Sequence, residues 1–348
     1  MTRENTRRVM CGGVAIGGGA PVTIQSMLNR EAHDIEGSVA QAVELEKSGC
    51  QIIRAAVPDV QSARLIEALK KAVSVPIVAD IHFDYRIALE CVQAGVDKIR
   101  INPGNIGSRD RTEAVVRACA NKGIPIRIGV NSGSVEKDIL AKYGSPTAEA
   151  LVESALYHAS ILEELGFFDT IISIKSSTVK TTIEAYRLAA ERCNYPLHLG
   201  VTEAGTARMG MIKSAVGIGS LLCDGIGDTI RVSLTADPAQ EVRAARDILK
   251  ACGLRGGVEF VSCPTCGRTK IDVISIAEQV QQALDSCEKD IKVAVMGCVV
   301  NGPGEAREAD IGIAGGDGCA VIIKKGEIIR KIAEEDIVRE LLAEIETL

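Results

Sequence analysis

Between residues 22 and 250 the sequence repeats one pattern eight times: a short β-rich run, then a helix-length segment whose apolar positions recur at three- and four-residue spacing. The runs are VTIQSM (22–27), IIRAAV (52–57), PIVADI (76–81), KIRINP (98–103), PIRIGVN (125–131), IISIKS (171–176), LHLGVTE (197–203) and TIRVSLT (229–235). Segments such as SVAQAVELEKSG, SARLIEALKKAV, YRIALECVQAG and TEAVVRACANKG follow them, several ending in a glycine where a helix C-cap would sit. Eight such units predict an α/β protein with a (β/α)8 TIM-type barrel; an open doubly wound sheet is the alternative. The chain is 46% hydrophobic but only 3% aromatic, with no tryptophan. Its core is therefore one of Val, Ile, Leu and Ala, as parallel sheets under helices require.

The first twenty residues, with VMCGGVAIGGGAPV, read as a hairpin leading into the barrel and plugging its bottom. Their glycines form no G-x-G-x-x-G opening a helix, so dinucleotide binding is discounted. After Cys252 a glycine-rich break, LRGGVEF, interrupts the rhythm. The rest reads as a compact α+β unit: a strand, a cysteine motif, a helix (ISIAEQVQQALDS), a strand (IKVAVMG), a Gly/Pro loop, a strand, a hairpin (AVIIKKGEIIRKI) and a final helix. The expected domains are a barrel over 1–252 and an α+β domain over 253–348.

The formal net charge of −6 disfavours nucleic acid and anionic membrane as partners. No signal peptide opens the chain, and no apolar stretch is long enough to span a bilayer, so a cytoplasmic protein is expected.

Five of the runs nevertheless carry a cation inside an apolar stretch: Arg54, Arg100, Arg127, Lys175 and Arg231. Each alone could pair with a carboxylate such as Asp80 or Glu203, or snorkel outward. Together, in one barrel, they would repel one another unless an anion filled the space between them. They point to a polyanionic ligand at the C-terminal strand ends. His82, Asn102, Asn131, His198, the Thr202–Glu203 pair and Ser233 stand at or near those ends. Glu203 is the candidate proton donor, a role that demands desolvation or ligand charge to offset the surrounding cations. His198 opens its strand and reads equally well as a core histidine.

Six of the twelve cysteines, Cys50, Cys91, Cys119, Cys193, Cys223 and Cys252, lie singly in apolar patterns and read as plain buried thiols. The second domain differs. It holds Cys263-Pro264-Thr265-Cys266-Gly267-Arg268 and then Gly297-Cys298-Val299-Val300-Asn301-Gly302-Pro303-Gly304-Glu305. Structural zinc, a redox dithiol and an iron–sulfur cluster compete for this motif. Zinc would need a fourth ligand from the poorly placed Cys287 or Cys319. The dithiol leaves Cys298 and its loop without a role. A cluster held by three thiolates, with a displaceable oxygen ligand such as Glu305, accounts for both.

These segments resemble a known family, the bacterial 4-hydroxy-3-methylbut-2-enyl diphosphate synthases of the methylerythritol phosphate route to isoprenoids. The resemblance runs nearly end to end and rests on SVPIVADIHFD (74–84), KIRINPGNIG (98–107), IRIGVNSGS (126–134), LHLGVTEAG (197–205), IRVSLT (230–235), SCPTCGR (262–268) and MGCVVNGPGEA (296–306). It implies a barrel plus a domain similar to the cluster domains of sulfite and nitrite reductases. It also implies a [4Fe–4S] cluster on Cys263, Cys266, Cys298 and Glu305. Arg54, Arg100, Arg127, Lys175, Arg231 and Ser233 would grip a diphosphate, His82, Asn102, Asn131 and Thr202 would line the pocket, Glu203 would donate the proton, and Asn301 would lie near substrate and cluster. The implied reaction is a two-electron reductive dehydration of 2-C-methyl-erythritol 2,4-cyclodiphosphate. The implied partners are flavodoxin or ferredoxin as donor and a second copy of the chain, head to tail. Two competing readings stand beside this one. The first is an aldolase-like barrel in which Lys175 forms a Schiff base and the cysteines hold zinc; the second is a metabolite sensor.

Overall fold

The structure, a computed structural model, describes residues 2–285, 287–300 and 302–348. The chain divides into two compact units, Met1–Leu254 and Arg255–Leu348.

In the first unit, β1 (Val9–Cys11) and β2 (Val14–Ile16) pair as an antiparallel hairpin. Eight parallel strands follow: β3 (Thr23–Met27), β4 (Ile52–Ala56), β5 (Ile77–Asp80), β6 (Lys98–Ile101), β7 (Ile126–Asn131), β8 (Thr170–Lys175), β9 (His198–Leu199) and β10 (Thr229–Ile230). Their order is β8-β7-β6-β5-β4-β3-β10-β9, and a parallel bridge from Ile172 to Leu197 closes the ring. The eight runs and the barrel read from the sequence are therefore present. The hairpin does close the bottom: Val9, Cys11 and Ile16 pack on Ile52, Val78 and Ile171, near the N-terminal ends of β4, β5 and β8.

Three details depart from the sequence reading. The last two barrel strands are short, ending at Leu199 and Ile230, so Thr202, Glu203 and Ser233 stand on loops beyond the ladder. The chain leaves the sheet at Gly200, and Glu203 takes φ 51°, a left-handed conformation uncommon outside glycine. The two loops are tied to each other instead, Thr235 N–H donating to Gly205 O at 2.9 Å. An additional helix, Lys137–Tyr143, precedes the barrel helix Ala148–Glu164. In the second unit the expected Gly/Pro loop contains a short helix, Gly302–Arg307.

That second unit is a five-stranded sheet of β11 (Glu259–Ser262), β12 (Lys292–Met296), β13 (Ile311–Gly316), β14 (Cys319–Lys324) and β15 (Glu327–Ala333), in sequence order. Side-chain alternation sorts the two faces. Val293, Val295, Ile311 and Ile313 pack under the helices Val273–Leu284 and Ile337–Glu346. On the other face Ala294, Met296 and Ala314 pack with Ala306 of the short helix and Ala309. Among the described residues no helix is long and apolar enough to cross a membrane.

Candidate active site

The pleat of a barrel strand sends alternate residues inward, and in this barrel the inward positions are charged. Asp80, 4% exposed, is their hub. It accepts from Arg100 Nη1 at 3.0 Å, and Arg54 Nε and His82 Nε2 lie 3.7 and 3.8 Å from it. Burial alone would raise the Asp80 carboxyl, but Arg54, Arg100 and His82 hold it below the ordinary aspartate value. Arg54 also donates through Nε and Nη2 to Met27 Sδ, at 3.0 and 2.7 Å. Arg127, fully buried, donates from Nη1 to Gln25 Oε1 at 3.2 Å.

Lys175 ends β8 opposite Asn131 of β7. Burial, reinforced by Arg231, Arg54, Arg127 and Arg100, drives its ammonium well below the ordinary lysine value. The five cations named from the sequence thus act on one space. Two glycines make room for them. A Cβ at Gly129 would fall 2.4 Å from Arg100 Nε, and one at Gly200 would fall 2.8 Å from Lys175 Nζ.

Arg231 is held from outside the barrel wall. Glu241 Oε2 lies 3.2 Å from its Nη2, and the same carboxylate accepts from Ser26 Oγ at 3.3 Å and Leu234 N–H at 3.0 Å. Helix Pro238–Ala251 presents Glu241 because Pro238 opens it and Asp237 caps it, accepting from Ala239 N–H at 2.8 Å. Glu241 was not among the residues singled out from the sequence. The signal was there: it shares the buried face of its helix with Val242, Ala245 and Ile248.

Lys98 was missed too. Two residues before Arg100 in β6, it faces the same interior, fully buried, and its Nζ has no hydrogen-bond partner among the described residues. Burial lowers it to about 8.

His198 lies in this interior rather than at the rim. It is fully buried, its Nδ1 is 3.4 Å from Thr229 Oγ1, and burial with Arg127, Lys175 and Lys98 nearby keeps the ring neutral. Asn102 is buried past the end of β6, and Asn131 and Thr202 are half-buried. Ser233 is half-buried on the loop after β10. His82 and Glu203 are exposed.

In the second unit Cys263, Cys266 and Cys298 line one pocket with Pro264, Arg268, Thr269, Met296 and Gly297. Gly297 N–H donates to Cys263 Sγ at 3.1 Å, and a Cβ at Gly297 would stand 2.9 Å from Thr269 Cγ2 and 3.4 Å from that sulfur. Hydrogen bonding from the Arg268 backbone and side chain lowers the Cys266 thiol. These features suit thiolate ligands. Among the described residues no group of three or more His, Cys, Asp or Glu side chains is gathered for a metal ion. Glu305 is exposed on the short helix Gly302–Arg307. Asn301 lies outside the described residues. Cys287 and Cys319 are half-buried.

Comparison with known proteins covers both units. The GcpE TIM-barrel domain matches residues 6–246, and the GcpE protein C-terminal domain matches residues 259–347. A 4-hydroxy-3-methylbut-2-en-1-yl diphosphate synthase (flavodoxin) of Clostridium perfringens is 60% identical over 100% of both chains. The enzyme of that name from Caldanaerobacter subterraneus subsp. tengcongensis is 59% identical over 99% of this chain and 97% of its own. Among solved structures, dihydropteroate synthase from Stenotrophomonas maltophilia superposes with a TM-score of 0.51 at 18% identity, covering 71% of this chain and 98% of that one; the likeness is one of fold. With both units matched and full-length relatives at this identity, the chain belongs to the GcpE family, that of the 4-hydroxy-3-methylbut-2-en-1-yl diphosphate synthases.

Proposed function

We propose that this chain is an iron–sulfur oxidoreductase that converts 2-C-methyl-D-erythritol 2,4-cyclodiphosphate to (E)-4-hydroxy-3-methylbut-2-enyl diphosphate, in isoprenoid precursor biosynthesis. The carrying observation is the convergence of Arg54, Arg100, Arg127, Lys175 and Arg231 on one space, where the ion-paired carboxylates are Asp80 and Glu241. That surplus of positive charge fits a diphosphate. The names carried by the relatives support the same substrate and argue against the Schiff-base alternative.

The reaction takes up two electrons and two protons, opens the ring at a carbon–oxygen bond to phosphate, and releases one water. Arg54, Arg100, Arg127, Lys175, Arg231 and Ser233 hold the diphosphate and stabilise the charge that grows on it as that bond breaks. His82, Asn102, Asn131 and Thr202 line the pocket, and His198 stays neutral in the barrel interior, where burial and the Arg127 and Lys175 charges disfavour its protonation. Glu203, on its turn beyond β9, protonates the departing hydroxyl. Cys263, Cys266, Cys298 and Glu305 are the residues that would hold a [4Fe–4S] cluster, which supplies electrons one at a time. Three thiols lining one pocket supply the soft donors that an iron–sulfur cluster takes. The relatives' names support flavodoxin as the donor, with ferredoxin the alternative. The working form is a cytoplasmic homodimer, and the barrel is its substrate domain.

Anaerobic turnover of the cyclodiphosphate with reduced flavodoxin, followed by phosphorus NMR, tests this reading. The linear diphosphate should form in wild type, and Glu203→Gln should lower kcat by about a hundredfold or more. Absence of turnover in iron-loaded wild type, or full activity in Glu203→Gln, would sink it.

A further inference from the structure

We propose that Cys223 and Cys252 form a peroxide-sensitive dithiol, whose oxidation to a disulfide ties together the ends of two barrel helices. Cys223 is the last residue of helix Ala207–Cys223, and Cys252 caps helix Pro238–Ala251. Their sulfurs are 4.0 Å apart. Cys252 Sγ also lies 3.9 Å from Gly219 O, one turn back along the first helix. A disulfide needs its sulfurs at about 2.05 Å, so small side-chain rotations would join them.

Access and order favour the reaction. Cys223 is exposed and Cys252 half-buried, whereas Cys11, Cys50, Cys91 and Cys119 are buried in the core. The sequence reading of Cys223 as a buried thiol is thus corrected: it sits where its helix runs out into solvent. The N-terminal segment holds this helix end in place, Arg3 N–H donating to Gly225 O at 2.7 Å and Arg3 Nη2 to Leu222 O at 3.4 Å. Burial and the neighbouring Cys223 push the Cys252 thiol up to about 11, while the Arg3 guanidinium works in the opposite direction. Cys223 is accordingly the first to react.

The chemistry balances. The Cys223 thiol releases its proton, the thiolate attacks one peroxide oxygen, the O–O bond breaks, and the departing hydroxide takes up that proton, leaving a sulfenic acid and water. The Cys252 sulfur then attacks that sulfenic sulfur, the S–O bond breaks, and a second water leaves. Two thiols lose two electrons in all, and one peroxide gains them. Helix C-termini lie at the end of a βα barrel away from the strands' C-terminal mouth, so the new bond forms away from the cation site.

The test uses holoenzyme purified anaerobically, treated with hydrogen peroxide, alkylated and digested with trypsin. Cleavage after Lys213, Arg231, Lys250 and Arg255 isolates each cysteine in its own peptide, residues 214–231 and 251–255. The expected product is these two peptides joined, two hydrogens lighter than their sum and separated by dithiothreitol. The barrel's melting temperature should rise by about five to ten degrees on oxidation, and Cys223→Ser should abolish both effects. Recovery of both cysteines as alkylated thiols after excess peroxide would overturn the proposal. So would a sulfinic acid at Cys223 beside a free Cys252, or a link between Cys223 residues of two chains.

Discussion

Arg231 is pinned by Glu241, whose Oε2 stands 3.2 Å from the Arg231 Nη2. The bridge crosses the barrel wall, joining a side chain of the strand-end cation set to a helix packed outside it. Arg54 and Arg100 share Asp80 within the barrel. Among the described residues Arg127 and Lys175 have no carboxylate in ion-pair range, so these two of the five lack a fixed counterion. The carboxylates therefore aim some of the cations while leaving a net positive interior for the ligand.

Glu241→Asp keeps the charge but withdraws it by one methylene. Arg231 would lose its fixed aim, and Leu234 N–H would lose its acceptor. The expected outcome is a KM for the cyclodiphosphate raised by about tenfold with kcat little changed, equivalent to about 1.4 kcal/mol of binding. Steady-state kinetics would show this, and an unchanged KM would remove Glu241 from the account.

Asp80 makes stability depend on pH in a definite direction. Its folded pKa is depressed by Arg54, Arg100 and His82 despite burial. Its contribution is therefore complete above the unfolded value of about 4 and is lost as pH falls below that toward the folded value. Asp80→Asn, which leaves buried cations uncompensated, should cost about 3–5 kcal/mol at neutral pH. Denaturant unfolding should show this loss shrinking in acid.

Binding of the diphosphate should take up a proton. Lys175 is held well below the ordinary lysine value by burial and four arginines, and an anion beside it favours the ammonium. Titration calorimetry without reductant, in buffers of different ionisation enthalpy, should report proton uptake above the free-enzyme pKa of Lys175. Lys175→Met should abolish it.

Gly129→Ala would place a methyl 2.4 Å from Arg100 Nε, and Arg100 would have to move. The expected result is weaker substrate binding, by about tenfold or more, with the far-ultraviolet dichroism of the barrel retained.

The barrel was legible because strand and helix periods repeat eight times and each repeat agrees with the next. The cations were legible because a charge in an apolar strand is costly without a purpose. Lys98 could have been read as well: the period of two that turns Arg100 inward turns Lys98 inward also. A carboxylate on the apolar face of its helix marked Glu241, but its pairing with Arg231 needed the fold, because the two stand on opposite sides of the barrel wall. The loop positions of Thr202, Glu203 and Ser233 were hidden because a β-rich run does not show where the hydrogen-bond ladder stops. At Gly200 the chain turns off as Lys175 fills the space a side chain would need. The pairing of Cys223 with Cys252 was equally out of reach, since it depends on where two helices end.

Iron and acid-labile sulfide, measured per chain on anaerobically purified wild type and Cys298→Ser, test the central claim most directly. The account expects about four of each in wild type and loss of the full complement in Cys298→Ser. One zinc per chain without sulfide, or an unaltered cluster in Cys298→Ser, would contradict it.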